Sequence, residues 1–201
     1  MNIQNPLARR ALVAIDPGRN LGWSVFVQTG VILRENTPIP PVQPPGVGWE
    51  LRACGLVSCA STNVSIQTQE TRAAVQTAIL RVLWDNGFHP GQHPLSVCEL
   101  MEWRPDDRRS SAQDLIRVAT VGAAIAGMLS PEPWFVTPNE WKGQVPKEIM
   151  GSRVLHALVP AEGLVFTRDS RGITPNAAHN IVDAIGIGLW AVGRIQRGGG
   201  Q

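Results

Sequence analysis

Three carboxylates lie in apolar segments where a charged side chain serves no structural purpose. Asp16 follows the run at 11–15, Glu99 lies in the segment VCEL, and Asp183 lies in the run IVDAIGIGLW. Burial of a carboxylate is costly unless the group is paired or binds a metal ion, and clustered carboxylates favour hard divalent ions such as Mg²⁺ or Mn²⁺. Two such ions about 3.5–4 Å apart can activate a water molecule and stabilise the leaving oxygen of a phosphodiester. The pattern therefore indicates metal-dependent phosphodiester hydrolysis.

Neighbouring polar residues leave the composition of this site open. His179 lies four residues before Asp183, a spacing that puts both side chains on one face of a helix, and Asn180 is the alternative polar neighbour. Glu102 competes with Glu99, but strand alternation puts these two on opposite faces, and Glu99 is closer to the apolar run. His179 could be a ligand or a general base near the attacking water. The structural alternatives are a Pro-Gly turn after the first acid, an edge strand around the second and a surface histidine.

The elements that must position these residues follow from the apolar patterning. Strands are predicted at 11–15, 22–28, 51–59, 94–100 and 134–138, and helices at 68–85, from Ser110 or Ser111 to about 129, in two pieces within 138–159, and at 176–194. This order predicts an α/β fold, a five-stranded mixed β-sheet flanked by α-helices, with the first two strands as an antiparallel hairpin. A single domain over 1–201 is expected, with a Pro-rich loop at 34–50 and a flexible tail at 196–201.

Composition limits the class of protein. The hydrophobic fraction of 43% is enough to build a core, which excludes a wholly disordered chain. No uninterrupted apolar run reaches the roughly 18 residues of a membrane span, and the N-terminus lacks a signal-peptide core, so a cytoplasmic protein without a membrane partner is expected. The three cysteines lack CxxC spacing, which argues against disulfides and zinc. The net charge of +2 does not by itself predict a nucleic-acid partner, and the excess of Arg over Lys suits phosphate contacts or reflects a GC-rich genome.

Five segments in order resemble the RuvC family of Holliday junction resolvases, in the RNase H-like superfamily. They are VAIDPGRNLGW for the first-strand motif, SVCEL for the fourth-strand Glu motif, SSAQDLIRVATVGAAIAGML for the dimer-forming helix, TPNEWKGQVPKEIMGSRV for the basic segment and AAHNIVDAIGIGLW for the last-helix motif. The resemblance covers residues 11–195. It implies an RNase H-like fold and a homodimer that makes paired nicks in a four-way DNA junction. It also implies two Mg²⁺ or Mn²⁺ ions per active site and no small-molecule cofactor.

The resemblance also assigns roles to individual residues. The implied catalytic and metal-binding set is Asp16, Glu99, His179 and Asp183, with Glu102 and Asn180 as alternatives. The DNA-binding candidates are Lys142, Lys147 and Arg153 in the basic segment, Arg104, Arg108 and Arg109 after the fourth strand, and Trp103, which either stacks on bases or packs in the protein. The small residues that would let two copies of the dimer helix approach are Ala119, Gly122, Ala123, Ala126 and Gly127.

Three departures from the family pattern suggest a phage-type relative, which would act in the cytoplasm of a bacterial host. The spacing between His179 and the final Asp is four instead of three, the register of the aromatic Trp103 is shifted, and the Pro-rich loop is unusual.

Three other classes of protein compete with this interpretation. One is another RNase H-like nuclease that acts on flaps, forks or RNA. A nucleotide-binding protein of the actin and sugar-kinase type also carries an Asp before a glycine-rich turn, but it needs further phosphate-binding glycine motifs that this sequence lacks. The third is a non-catalytic junction-binding dimer, which retention of all three carboxylates argues against.

Overall fold

The computed structural model describes residues 10–29, 48–58, 63–89, 91–101 and 111–197. Within these ranges the chain forms five strands and six helices. The strands are β1 Ala11–Asp16, β2 Asn20–Thr29, β3 Gly48–Ser58, β4 Leu95–Glu99 and β5 Trp134–Val136. The helices are α1 Val64–Asp85, α2 Ala112–Leu129, α3 Pro138–Trp141, α4 Lys147–His156, α5 Pro160–Asp169 and α6 Pro175–Ala191.

The five strands form one mixed sheet in the order β3-β2-β1-β4-β5. The central strand β1 pairs antiparallel with β2 and parallel with β4, and β4 pairs parallel with β5. All six residues of β1 are buried, because helices cover both faces of the sheet. The predicted α/β class, the mixed sheet and the antiparallel hairpin of the first two strands are confirmed.

Strand alternation divides the core into two layers. Val13 and Ile15 point to one face, where they pack in a cluster with residues of α1 and α2. Leu12 and Ala14 point to the other face, where the cluster includes residues of α4 and α6. The last residue of β1, Asp16, follows the same alternation, so its side chain belongs to the face that α6 covers.

Two glycines let α6 pack directly on the backbone and rings of the sheet. A Cβ atom on Gly22 of β2 would clash with the carbonyl oxygen of Asn180, and one on Gly188 of α6 would clash with the ring of Phe26. Residues 181–189 of α6 are all buried. Because neither glycine has a side chain, α6 can pack in direct contact with β2.

Helix α5 is absent from the sequence prediction. Its one buried residue is Glu162, which accepts hydrogen bonds from Arg194 Nη1 at 2.6 Å and Nη2 at 2.7 Å and from the Leu51 amide at 2.8 Å. Burial acts to raise the pKa of Glu162, but these hydrogen bonds outweigh it and the pKa is lowered. Through these hydrogen bonds Glu162 connects α5 to β3 at Leu51 and to the segment after α6 at Arg194.

The remaining differences from the sequence prediction concern boundaries. Helix α1 begins at Val64, four residues early, because the Asn63 side chain accepts from the amides of Ser65 and Ile66. Strand β3 begins at Gly48, so the last three residues of the loop predicted at 34–50 belong to a strand. The rest of that predicted loop, 34–47, lies outside the described residues. The predicted tail is described only at 196 and 197.

Helix α2 begins after Ser111, whose hydroxyl accepts from the amide of Asp114 at 3.1 Å. By length and composition alone, α2 is the one helix in the described part of the chain that is apolar enough to cross a membrane. Such a helix is weak evidence for a span, because core helices pass the same test. One side of α2, including Val121 and Ile125, packs against the sheet.

Candidate active site

Two of the three acids end adjacent parallel strands. The register of β1 and β4 pairs Ile15 with Cys98, so the next residues, Asp16 and Glu99, finish both strands at the same edge of the sheet. Asp16 is 8% exposed and Glu99 is 3% exposed. Strand β4 lies between β1 and β5, which excludes the alternative that Glu99 faces water from an edge strand.

The third acid comes from α6. Asp183 is 8% exposed, and its charge helps to raise the pKa of Asp16. Burial is the largest cause of that rise, followed by the charge of Glu99 and then that of Asp183, while Lys142 and Lys147 oppose it. The three carboxylates therefore form one electrostatic group beside two lysines.

Two donors meet at one oxygen of Glu99. The indole nitrogen Nε1 of Trp141 donates to Oε2 of Glu99 at 2.5 Å, and the Nζ atom of Lys142 lies 3.5 Å from the same oxygen. Burial raises the pKa of Glu99, and the charge of Lys142 and the hydrogen bond from Trp141 oppose this rise. These contacts favour the ionised form of the carboxylate and so offset part of the effect of burial on its pKa.

Trp141 is a residue of the site that its sequence context does not predict. The residue ends the four-residue helix α3, which begins after Thr137, where the Thr137 amide donates to Oε2 of Glu140 at 2.6 Å. The only local signal is a large aromatic residue directly before Lys142. Its partner Glu99 lies 42 residues earlier in the chain, and residue spacing cannot reveal such a contact.

His179 lies in the electrostatic environment of the acids. Partial burial lowers its pKa, the charges of Lys147 and Lys142 lower it further, and the charge of Asp183 opposes them. The imidazole is therefore neutral at neutral pH and has one unprotonated nitrogen. Asn180, the alternative, has its backbone carbonyl against Gly22 of the sheet.

Two of the basic candidates reach the site and a third does not. Lys142 and Lys147 line a surface cleft of about 580 Å³ between α3 and α4, together with Asn139 and Gln144. Arg153 lies on α4, donates to the carbonyl oxygen of Gln196 at 3.3 Å and does not line this cleft. The basic segment thus contributes two cations to the edge of the sheet that carries the acids.

Two of the solved structures that resemble this chain are of RuvC from Thermus thermophilus. The Thermus thermophilus RuvC structure is 15% identical, with a TM-score of 0.47 over 90% of this chain and 92% of that one. T. thermophilus RuvC in complex with Holliday junction substrate is also 15% identical, with a TM-score of 0.50 over 90% of this chain and 91% of that one. The chain has the RuvC fold. No protein-family model matches the sequence, and neither does any curated protein.

The RuvC fold is RNase H-like, so the predicted RNase H-like fold is confirmed. At this level of identity the likeness establishes the fold.

The acids at this edge of the sheet have the donor atoms that a divalent metal prefers. Three carboxylates supply the hard oxygen donors that Mg²⁺ and Mn²⁺ prefer. A cation would also relieve the repulsion from Glu99 and Asp183, which adds to burial in raising the pKa of Asp16. Among the described residues, however, no group of three or more His, Cys, Asp or Glu side chains is already arranged to hold an ion. The donor chemistry therefore fits a metal, and the ammonium group of Lys142, now in contact with Glu99, would have to move to admit it.

Five of the site and DNA-binding candidates predicted from the sequence lie outside the residues that the structure describes. They are Glu102, Trp103, Arg104, Arg108 and Arg109. Their roles at the site or on DNA stay predictions.

Proposed function

We propose that this chain is a metal-dependent, structure-selective endonuclease that cleaves four-way DNA junctions. The observation that carries the proposal is the group of three buried carboxylates, Asp16, Glu99 and Asp183, at one edge of the sheet. The chain shares its fold with T. thermophilus RuvC, which was solved in complex with Holliday junction substrate. The fold and the carboxylates together support this substrate class.

The three carboxylates are the candidates to hold Mg²⁺ or Mn²⁺. When bound, two such ions activate a water molecule and stabilise the leaving oxygen of a phosphodiester. His179 supports this chemistry in a second way, because a neutral imidazole near the site can accept a proton from the attacking water at its unprotonated nitrogen.

The two lysines support DNA binding at the same edge. Lys147 is exposed at the start of α4 and can meet a backbone phosphate. Lys142 is three-quarters buried beside Glu99, so its charge acts close to the reacting phosphate. Such contacts neutralise phosphates and make binding salt-dependent.

We further propose that the chain acts as a homodimer through α2. Two of its small residues, Gly122 and Ala126, are buried within their own chain, with Gly122 against Pro17. The outer face carries an exposed stripe with spacings of four, three and four residues, formed by Ile116, Thr120, Ala123 and Gly127. Ile116 is 67% exposed, and such a stripe suits packing against a second copy of the helix.

The direct test is incubation of an end-labelled synthetic four-way junction with the protein and Mg²⁺ or Mn²⁺. Wild type should cut in symmetric positions, EDTA should abolish cutting, and Asp16→Asn should lose it. Asp85→Asn is the matched control, because Asp85 is an exposed carboxylate at the end of α1. An intact junction with wild type, or equal cutting by Asp16→Asn, contradicts the proposal.

A panel of flap, fork, linear duplex and RNA–DNA hybrid substrates in the same assay tests the substrate class. Faster cutting of flaps or forks than of junctions would assign the chain to another branched-DNA nuclease.

One observation favours a second candidate, a non-catalytic junction-binding dimer. The ammonium group of Lys142 already contacts Glu99. Among the described side chains, no group of three or more His, Cys, Asp or Glu is arranged to coordinate a metal ion. Junction binding in a gel-shift assay without any cleavage in Mn²⁺ would support this candidate over the nuclease.

A further inference from the structure

Trp141 is fully buried and is the largest such side chain in the described part of the chain. Its indole N–H points at a carboxylate, because Nε1 donates to Oε2 of Glu99 at 2.5 Å. A hydrogen bond weakens steeply when its donor and acceptor are misaligned, so a bond at this distance constrains the orientation of both groups. The contact therefore restrains which way the Glu99 carboxylate faces.

The opposite side of the ring is fixed against α6. A Cβ atom on Gly186 would lie 2.7 Å from Cζ3 of Trp141 and 2.8 Å from Cγ2 of Val154. Gly186 lies three residues after Asp183, on the next turn of α6. One side chain thus touches the acid of β4 and the helix that supplies the acid Asp183, so it sets the spacing between them.

The same ring also borders a cation. The Nζ atom of Lys142 lies 4.8 Å from the centroid of the Trp141 ring and 3.5 Å from Oε2 of Glu99. A cation within about 6 Å of a tryptophan face is attracted to it. Trp141 therefore holds both partners of the ion pair.

Burial alone does not explain the hydrogen bond. Trp49 is 4% exposed and belongs to the same apolar cluster as Trp141. Its Nε1 atom has no hydrogen-bond partner among the described residues. This core therefore tolerates an indole N–H without an acceptor, and the contact of Trp141 with Glu99 needs a separate reason.

We propose that Trp141 is a positioning residue that fixes the Glu99 carboxylate for a divalent cation shared with Asp16 and Asp183. The inference rests on the proposed function, since it assumes that these acids bind metal. Groups that hydrogen-bond a metal ligand hold it in its binding orientation, and their removal typically costs about 10–100-fold in metal affinity.

The test is Mn²⁺ binding to the full chain without DNA, with free Mn²⁺ measured by electron paramagnetic resonance. Trp141→Phe removes the N–H and keeps an aromatic ring, and we expect about 10–100-fold weaker binding. Trp49→Phe makes the same change at a buried indole without a partner and should bind as wild type does. Asp16→Asn, which should lose binding, identifies the acids as the site.

A second variant keeps the test valid if Trp141→Phe does not fold. Replacement of Trp141 by β-(3-benzothienyl)alanine puts a sulfur atom in place of the N–H at nearly unchanged shape, so packing on Gly186 is retained. Circular dichroism should show a native melt, and Mn²⁺ binding should weaken as in Trp141→Phe.

The outcomes separate the two proposals. If wild type binds Mn²⁺ through Asp16 and both Trp141 variants bind equally well, the positioning role is overturned and the proposed function stands. If Trp49→Phe weakens binding as much as Trp141→Phe does, general loss of packing explains the effect and the role is again overturned. If wild type does not bind Mn²⁺, or Asp16→Asn binds as well, the metal-dependent function fails and the role of Trp141 fails with it.

Discussion

Lys142 holds its ammonium nitrogen 3.5 Å from Oε2 of Glu99, so a cation of the basic segment lies among the acids. Lys147 is exposed at the start of α4, five residues later. Both lysines line the same cleft, but only Lys142 forms an ion pair with one of the acids. The two positions predict different contributions to the reaction.

Lys142→Met should slow cleavage of bound junction by about 10²-fold, the loss typical when a positioned charge-stabilising donor is removed. Junction affinity should change much less. Single-turnover rates at saturating protein, combined with gel shifts, separate these effects.

Lys147→Met is the matched variant for DNA binding. It should weaken junction binding and reduce the slope of log affinity against log salt by about 1, while the single-turnover rate stays near that of wild type. The reverse assignment, with Lys147 controlling the rate, would contradict the geometry.

Asp16→Asn should stabilise the metal-free protein at neutral pH. Burial, Glu99 and Asp183 raise the pKa of Asp16, so the folded state binds more protons than the unfolded state between the two pKa values. The free energy of unfolding therefore falls as pH rises through that interval, and the penalty is complete above the folded pKa. Asn removes this penalty. In EDTA at pH 8 we expect a higher melting temperature, by about 2–4 °C for each kcal/mol gained.

The gain should shrink as pH falls towards about 4, because Asp16 of the folded state is already protonated and Asp16 of the unfolded state starts to be protonated as well. Thermal melts from pH 8 to pH 4.5 measure this trend. Asp85→Asn, at an exposed carboxylate, should show no comparable gain at any pH. A melting temperature of Asp16→Asn that is lower than that of wild type at pH 8 would disprove the expected electrostatic penalty.

Ile116→Arg should disrupt the homodimer, because it puts a charge in the exposed stripe of α2. Leu164→Arg is the control, since Leu164 is 73% exposed and lies on α5, on the opposite face of the sheet. Light scattering after size exclusion should give a dimer mass for wild type and Leu164→Arg and a monomer mass for Ile116→Arg. Dissociation by Leu164→Arg instead would move the interface to α5.

Arg194→Ala should destabilise the protein by about 3–5 kcal/mol, because it leaves the buried carboxylate of Glu162 without its cation. Arg52 forms a surface ion pair with Glu50 at 2.7 Å, and Arg52→Ala should cost only about 0–1 kcal/mol. Urea unfolding at pH 7 measures both. Equal losses would mean that burial of the Glu162 pair adds nothing.

The fold could be predicted from sequence because its signals are local. Apolar runs give β1 and β4, and three-to-four spacing gives α1. Helix α5 is not predicted from the sequence because its single buried residue is a glutamate. The segment therefore lacks the spaced apolar residues that predict a helix packed on the core. Its partner Arg194 is 32 residues away, and only the folded chain reveals the pair.

The candidate site also has residues that the sequence predicts and contacts that only the folded chain reveals. Asp16, Glu99 and Asp183 stand out in sequence because charge interrupts apolar runs. The contact of Trp141 with Glu99 does not, since a buried tryptophan ordinarily contributes only to the core. The proximity of the lysines to the acids is also hidden in the sequence, because it depends on how β5, α3 and α4 pack next to the edge of the sheet that carries the acids.

The close packing of α6 has a consequence for mutational tolerance. Gly22, Gly186 and Gly188 carry no reactive group, yet any side chain at these positions meets backbone or a ring. In a saturation screen for cleavage they should be as intolerant as the acids. Protein yield would tell the two groups apart, because glycine variants fail to accumulate, whereas an inactive Asp16→Asn protein remains abundant.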